Sequence, residues 1–402
     1  MKDKSKIGVY GILIAGILWI VFLAGCLNGG FLQYGSLRGR VLSVAGAPLD
    51  GVLVEVANRS TITLADGSFL IDRVPTGKRY VFFSHPDYAG KVLEVDIVAD
   101  TICDINPEGV VYLAEKTPQT QRDFLFEIYQ LGFYERVVDE ANSFLVLYPQ
   151  DPLQGDVLFV RGASLYYLEE YEKSVADLNA VVNSYPDSEF ADDAQYLLAK
   201  SYGEGYGDYY RAISEYRRLI EQYPQSDLVG AAYYEIGDCY YILGDYFNAY
   251  QSYQQAQEFG GELERKSIYA IGHCMYKLNN FLEAARYFDE YVNRYPNTDL
   301  SDDAQYFEGA SLYRAERFSE ALLAFEDCVE KYPQGTWYNG IAIAPAALFH
   351  KGLCLERLQR YTEAYQTYLY IIKNYPGAKW ADGSSLIKSV RFRIDWLNQN
   401  VF

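Results

Sequence analysis

The stretch RYPNTDLSDDAQY (residues 294–306) has a near copy, SYPDSEFADDAQY (184–196), 110 residues earlier. The Tyr-Pro pair inside it sets a period. Pro149, Pro186, Pro224, Pro296, Pro333 and Pro376 each follow a tyrosine, with gaps of 37, 38, 72, 37 and 43. The long gap holds two units, the missing proline being replaced by Phe259-Gly260-Gly261. An internal period of this size marks an α-solenoid of stacked helix pairs. Residues 118–376 then hold seven such pairs, and the 110-residue offset is three of them.

A second regularity lies inside each unit. Gly162, Gly237, Gly272, Gly309 and Gly352 fall 24 residues before the unit's end, with Leu125 and Ala199 at that place in the first and third units. A small residue follows as Ser174, Ala212, Ala249, Ala284, Ala321 and Ala364, and four residues later a large one as Leu178, Tyr216, Tyr253, Phe288, Phe325 and Tyr368. Glycine facing alanine predicts a close approach of two antiparallel helices, with the large residue filling the space beside it. Proline ends the second helix, and the paired acids Asp192-Asp193 and Asp302-Asp303 suit the start of the next. Residues 379–402 hold Ile387, Val390, Ile394 and Leu397 at helical spacing, as expected of a helix that caps the stack.

These spacings resemble the tetratricopeptide repeat (TPR). Within that family, the Tyr-Pro endings and DDAQY openings are similar to envelope proteins: the lipoprotein of the outer-membrane β-barrel assembly machine and the periplasmic Tol-Pal coordinator. The resemblance implies a protein-binding fold whose first helices line a concave face. Two aromatic rows fall on those helices: Phe159, Tyr196, Tyr234, Tyr269, Tyr306 and Phe349, then Tyr166, Tyr241, Tyr276 and Tyr313, with His273 beside them. One reading makes them a groove for a protein or peptide ligand, since rigid amphipathic tyrosines give contact area at low entropic cost. The other packs them between neighbouring units. The apolar insertion TWYNGIAIAPA (336–346) is a second candidate contact, or a lengthened first helix.

Residues 35–115 read differently. LRGRVLSV (37–44), VLVEV (52–56), TITL (61–64), SFLIDRV (68–74), KRYVFFS (78–84), KVLEVDIVA (91–99) and GVVYLA (109–114) are short β-branched runs. Seven such runs predict an antiparallel β-sandwich, with Asp66-Gly67 as a hairpin turn. The order G-x-V, G-x-P-L-x-G-V-x-V, A-D-G-x-F, V-P-x-G, from Gly39 to Gly77, resembles the carboxypeptidase regulatory-like family. That resemblance implies a small transthyretin-like sandwich, non-catalytic, of a fold grouped with carbohydrate-binding modules. The chain is therefore expected to be mainly α, with a small sandwich ahead of the solenoid.

The N-terminus reads as an address. Lysines precede an apolar run from Ile7 to Val21, and Leu23-Ala24-Gly25-Cys26 closes it. Residues 1–25 fit a signal peptide, and the ending resembles the bacterial lipobox, which implies acylation of Cys26. An uncleaved anchor is the alternative, since Ile7–Gly25 is long enough to span a bilayer. Residues 26–34 are an uncharged tether. Both readings put the rest of the chain outside the cytoplasmic membrane, and the lipoprotein reading puts it on the periplasmic side of the outer membrane in a Gram-negative host.

Composition narrows the classes. Against 35 basic residues stand 54 acidic ones, a net charge of −19, which repels phosphate backbones and argues against nucleic acid. Three histidines and six cysteines without a C-x-x-C pair supply neither a metal centre nor a conventional catalytic triad. No enzyme and no cofactor is expected. The expectation is a membrane-anchored envelope adaptor, with a cell-wall or carbohydrate-binding lipoprotein as the alternative.

Overall fold

The computed structural model describes residues 33–402. The signal segment 1–25, Cys26 and the tether as far as residue 32 lie outside the described residues. The chain divides after Gly207 into two compact units, each taken by itself below.

The first unit begins with eight strands: β1 (Tyr34–Ser43), β2 (Leu53–Val56), β3 (Arg59–Ile62), β4 (Ser68–Pro75), β5 (Gly77–Ser84), β6 (Lys91–Ile97), β7 (Ile102–Asp104) and β8 (Val110–Leu113). They form two four-stranded sheets. One orders β4-β1-β7 with β8 also on β1, the other β3-β2-β5-β6. Alternation along β1 buries Leu37 and Val41, which meet Val54, Phe83 and Val95 of the second sheet in one core. Two expectations change. The sandwich is not wholly antiparallel, because β7 and β8 both pair parallel with β1. Asp66-Gly67 is not the hairpin turn either: β3 and β4 lie in different sheets, and β2 and β3 are joined through Ala57 and Asn58, both at positive φ. Asp66-Gly67 is a tight corner, where a Cβ on Gly67 would lie 2.3 Å from the Val41 carbonyl oxygen.

Helices follow: α1 (Pro118–Gln130), α2 (Tyr134–Leu147), α3 (Gln154–Tyr167), α4 (Tyr171–Ser184) and α5 (Ala191–Lys200), which runs into a π-helical turn at Ser201–Gly205. The first hairpin lies directly on the sandwich. Phe82 and Val92 face outward from their sheet and are buried with Phe124, Ile128 and Val137 of α1 and α2. Gly90 makes room for the Phe124 ring, which a Cβ there would approach to 2.3 Å. Arg136 lies 4.2 Å over the Phe82 ring and donates to Glu55 at 3.0 Å and Ser84 at 2.9 Å. Sheet and first hairpin therefore share a core.

The second unit contains α6 (Tyr209–Gln222), α7 (Val229–Ile242), α8 (Tyr246–Gln257), α9 (Gly261–Lys277), α10 (Phe281–Arg294), α11 (Ser301–Arg314), α12 (Phe318–Lys331), α13 (Ala344–Arg357), α14 (Tyr361–Asn374) and α15 (Leu386–Asn400). The glycine positions have a more specific role than facing alanine. A Cβ on Gly237, Gly272, Gly309 or Gly352 would meet the ring of Tyr253, Phe288, Phe325 or Tyr368 at 2.5, 2.8, 2.8 and 2.4 Å. Glycine is the seat of the ring, and the fully buried alanines beside it complete the contact.

The turns within pairs share one device. Glu169, Asn279, Glu316 and Gln359 adopt φ near +60°, and Gly132 and Gly244 occupy the same place. In each, the next amide reaches back to the helix, as Glu170 N–H to the Leu165 carbonyl at 2.8 Å and Arg317 N–H to the Leu312 carbonyl at 2.9 Å. This is a left-handed C-terminal cap.

Candidate functional site

The first aromatic row belongs largely to the core. Phe159, Tyr306 and Phe349 are 2, 8 and 7% exposed. Phe159 stacks on Phe190 at 4.9 Å. Tyr234 packs 5.2 Å from Tyr253, Tyr269 5.9 Å from Phe288, Tyr306 5.7 Å from Phe325 and Phe349 5.8 Å from Tyr368. The partner in these four is the ring seated on the pair's glycine. A side chain three residues before that glycine points into its own hairpin, so the row fills the hairpin interior. Tyr196, Tyr234 and Tyr269 are half-buried. Burial pushes the phenols of Tyr234, Tyr269 and Tyr306 above their ordinary range.

The second row sits at the turns. Tyr166 is buried and donates its hydroxyl to Glu204. Tyr241, Tyr276 and Tyr313 are half-buried. Each packs on the ring five residues on: Tyr246 at 5.2 Å, Phe281 at 5.5 Å and Phe318 at 5.4 Å. Burial raises the Tyr241 phenol to about 12. Guanidinium groups cover two of these pairs: Arg314 lies 4.7 Å from the Phe281 ring and Arg357 5.4 Å from the Phe318 ring. His273 is packed among Tyr269, Phe288 and Phe307 at 4.6, 5.0 and 4.5 Å. Desolvation, then Lys277, lowers it to about 4, so the imidazole is neutral at pH 7.

The insertion at 336–346 is neither loop nor lengthened helix at its start. Thr336 bridges Ala342, closing a small hairpin, and α13 begins only at Ala344. The hairpin puts Trp337 4.9 Å from Tyr306 and leaves Tyr338 94% exposed. A twin follows 43 residues later, where Lys379 bridges Ser385 and Trp380 packs 5.2 Å from Phe349. Asn339 of the first donates to the Ala381 carbonyl of the second at 2.6 Å. The W-x-x-G signal at Trp337–Gly340 and Trp380–Gly383 was readable in the sequence.

An open apolar surface lies instead on the second helices. Between α10 and α12 runs a cleft of about 390 Å³, floored by Glu308 and Leu312 of α11. Leu282 and Leu323, 54 and 62% exposed, form its apolar walls. Asp289, Glu320 and Asp327 line it with Glu308, against the single cation Arg286 in the lining. Arg286 is engaged with Glu283 at 2.9 Å and Glu290 at 3.4 Å. Burial, then the nearby Asp289, raises the Glu308 carboxyl to about 7. The cleft thus combines apolar contact with an acidic lining: Glu320 pairs with Arg317 at 2.5 Å and Asp327 with Lys331 at 2.9 Å, while among the described residues Asp289 and Glu308 have no ion-pair partner. Among the described residues no cluster of three or more His, Cys, Asp or Glu side chains is arranged to hold a metal ion. No helix among them is long and apolar enough to cross a membrane.

Comparison with known proteins accords with this architecture. The carboxypeptidase regulatory-like domain matches residues 36–106. Tetratricopeptide-repeat models match residues 156–188, 193–226 and 346–378, residues 230–259, and residues 269–336. No curated protein sequence matches the chain. Among solved structures, the C-terminal part of a TPR repeat-containing protein from Cytophaga hutchinsonii has a TM-score of 0.53 at 14% identity, covering 64% of this chain and 96% of that one. A tetratricopeptide repeat protein from Parabacteroides merdae has a TM-score of 0.44 at 13% identity, covering 70% and 99%. YrrB, described as a TPR protein with an unusual peptide-binding site, has a TM-score of 0.39 at 18% identity, covering 50% and 92%. The likeness to the first is one of fold. The chain carries a carboxypeptidase regulatory-like domain followed by tetratricopeptide repeats.

Proposed function

We propose that the protein is a non-enzymatic docking scaffold of the cell envelope, held at a membrane by acyl chains on Cys26. Its partner is a protein that seats a cationic, amphipathic segment in the cleft between α10 and α12. The observation that carries this reading is the cleft itself, where exposed Leu282 and Leu323 flank four carboxylates. Apolar walls supply contact area, and the acid excess selects a lysine or arginine on the incoming segment. A cation placed beside Glu308 also removes the cost of ionising that half-buried carboxyl.

The envelope placement rests on the Leu23-Ala24-Gly25-Cys26 ending and on the Tyr-Pro and DDAQY joints, similar to the assembly-machine lipoprotein and the Tol-Pal coordinator. In a Gram-negative host this is the periplasmic side of the outer membrane. The saccharide alternative draws no support from the open cleft of the sandwich. That cleft is walled by Ile62, Leu64, Leu70 and Ile102, and its one aromatic, Phe69, is buried at 5% exposure, leaving no open ring face for a sugar to stack on.

The anchor is tested by metabolic labelling with a fatty-acid analogue: label absent from Cys26→Ala supports it, and label that survives contradicts it. For the docking surface, Glu308→Lys with Asp327→Lys is expected to abolish co-purification of the partner while the melting temperature stays near wild type. Undiminished co-purification overturns that part of the reading.

A further inference from the structure

The two outer faces of the sandwich differ. Outside the β3-β2-β5-β6 sheet, Phe82 and Val92 are buried under α1 and α2. Outside the other sheet, apolar side chains stand open. Leu37, Phe69 and Ile71 point into the core, so Arg38 on β1 and Leu70 on β4, which alternate with them, point outward. The strand register sets Leu70 and Asp104 on either side of Arg38, and Ile102 beside Ser36, one outward step back along β1. Ile62 and Leu64 line the same open cleft of about 580 Å³, Leu64 being held there by its amide, which donates to the Ser68 carbonyl at 2.9 Å. Ile62, Leu64, Leu70 and Ile102 are 60, 66, 50 and 55% exposed. Aliphatic side chains left open around one cleft mark a contact surface. Its charged lining residues are Arg38 and Asp104, which pair with each other at 2.7 Å. The cleft is therefore apolar and close to neutral, unlike the acidic cleft between α10 and α12.

The connectivity of the chain says what lies opposite. β1 is the central strand of this face, and its first residue, Tyr34, is the eighth after Cys26. A trans chain spans at most about 3.3–3.6 Å per residue, so Tyr34 stays within about 26–29 Å of Cys26. Acyl chains on Cys26, or an uncleaved span ending at Gly25, hold this sheet close to a bilayer. We propose that the outer face of the β4-β1-β7 sheet docks on the phospholipid surface. Ile62, Leu64, Leu70 and Ile102 enter the boundary between headgroups and acyl chains, and the Arg38–Asp104 pair stays at headgroup level. The inference rests on the membrane anchorage proposed above and holds for either form of anchor. The sandwich is then a second membrane contact, set down on the surface rather than suspended from its tether.

The test reconstitutes the full-length chain, through its own N-terminal anchor, into vesicles of phosphatidylethanolamine and phosphatidylglycerol. A carbene probe dissolved in the acyl phase is photolysed, and labelled residues are located by mass spectrometry. Ile62, Leu64, Leu70 and Ile102 are expected to be labelled at least about fivefold more than Phe247 and Leu323, which are comparably exposed at 56 and 62%. Leu70→Glu with Ile102→Glu should keep the chain on the vesicles and its melting temperature near wild type, while labelling of Ile62 and Leu64 falls at least about fivefold. Labelling of the four residues no stronger than that of Leu323 overturns the proposal. So does labelling of Ile62 and Leu64 that the double substitution leaves unchanged. Failure of the anchor reads differently: a chain that does not associate with the vesicles overturns the anchorage and this docking with it. Fatty-acid label missing from a chain whose four residues are still labelled supports the docking and overturns only the acylation of Cys26.

Discussion

Arg393 of α15 donates from Nε to Glu356 of α13 at 2.9 Å, and Tyr368 of α14 donates its hydroxyl to the same carboxylate oxygen at 2.7 Å. Glu356 is only 8% exposed, so one buried carboxylate ties three helices together. Removing one partner of such a pair leaves a desolvated charge. Glu356→Gln is expected to lower unfolding stability by about 2–4 kcal/mol. It should also release residues 386–400 to faster amide exchange. Glu356→Met combined with Arg393→Met should recover most of the loss, because no charge is then stranded. Urea denaturation with exchange mass spectrometry checks both.

Asp303 gives the second unit a dependence on pH. Burial, then Asp302, raises its carboxyl to about 7 from the ordinary 3.8, and its Oδ1 has no hydrogen-bond partner. The folded chain therefore holds a proton that the unfolded chain releases. Stability falls as pH rises from about 4 to about 7, by up to about 1.4 kcal/mol per pH unit from this group. Asp303→Asn should flatten that slope and raise stability at pH 8. Unfolding at pH 5.5 and pH 8 measures it, and identical slopes in both chains contradict it.

The ring seats should not accept a methyl group. A Cβ on Gly309 lies 2.8 Å from the Phe325 ring, which is fully buried and cannot swing aside. Gly309→Ala is expected to cost about 1–3 kcal/mol despite alanine's better helix propensity. Chemical denaturation decides the sign.

The left-handed caps should respond in the opposite direction. Glu316 holds φ at +59°. Glu316→Gly relieves the clash of a β-carbon in that region and is expected to gain about 0.5–1 kcal/mol after the entropic cost of glycine. A rise in melting temperature checks it.

The repeat and the sandwich were legible because each rests on a short-range rule. Tyr-Pro terminates a helix, glycine admits a ring, and alternation defines a strand. Which strands paired was less legible. Parallel pairing of β7 and β8 with β1 depends on long-range closure, and Asp66-Gly67 follows the same turn rule whether it joins paired strands or turns a corner. The aromatic rows left two readings open for a physical reason: a tyrosine on a first helix has the same period whether it faces a ligand or its own hairpin. Only the ring contacts of Tyr234, Tyr269 and Tyr306 separate the two. The α10–α12 cleft draws residues from three helices with no common spacing, and Glu356–Arg393 joins residues 37 apart. Neither leaves a local signal.

The joint at Arg294–Tyr306 ends in a residue that packs on Phe325 inside its own hairpin and on Trp337 of the connection that follows. The proposed partner surface lies on the second helices instead. The direct measurement is photo-crosslinking in intact cells with a photoreactive residue at Leu323 and, separately, at Tyr112 on the sandwich. The account predicts a discrete adduct at Leu323 that is absent at Tyr112 and is lost when Glu308→Lys and Asp327→Lys are added. An adduct at Leu323 that survives both charge reversals, or the same adduct from both positions, would contradict it.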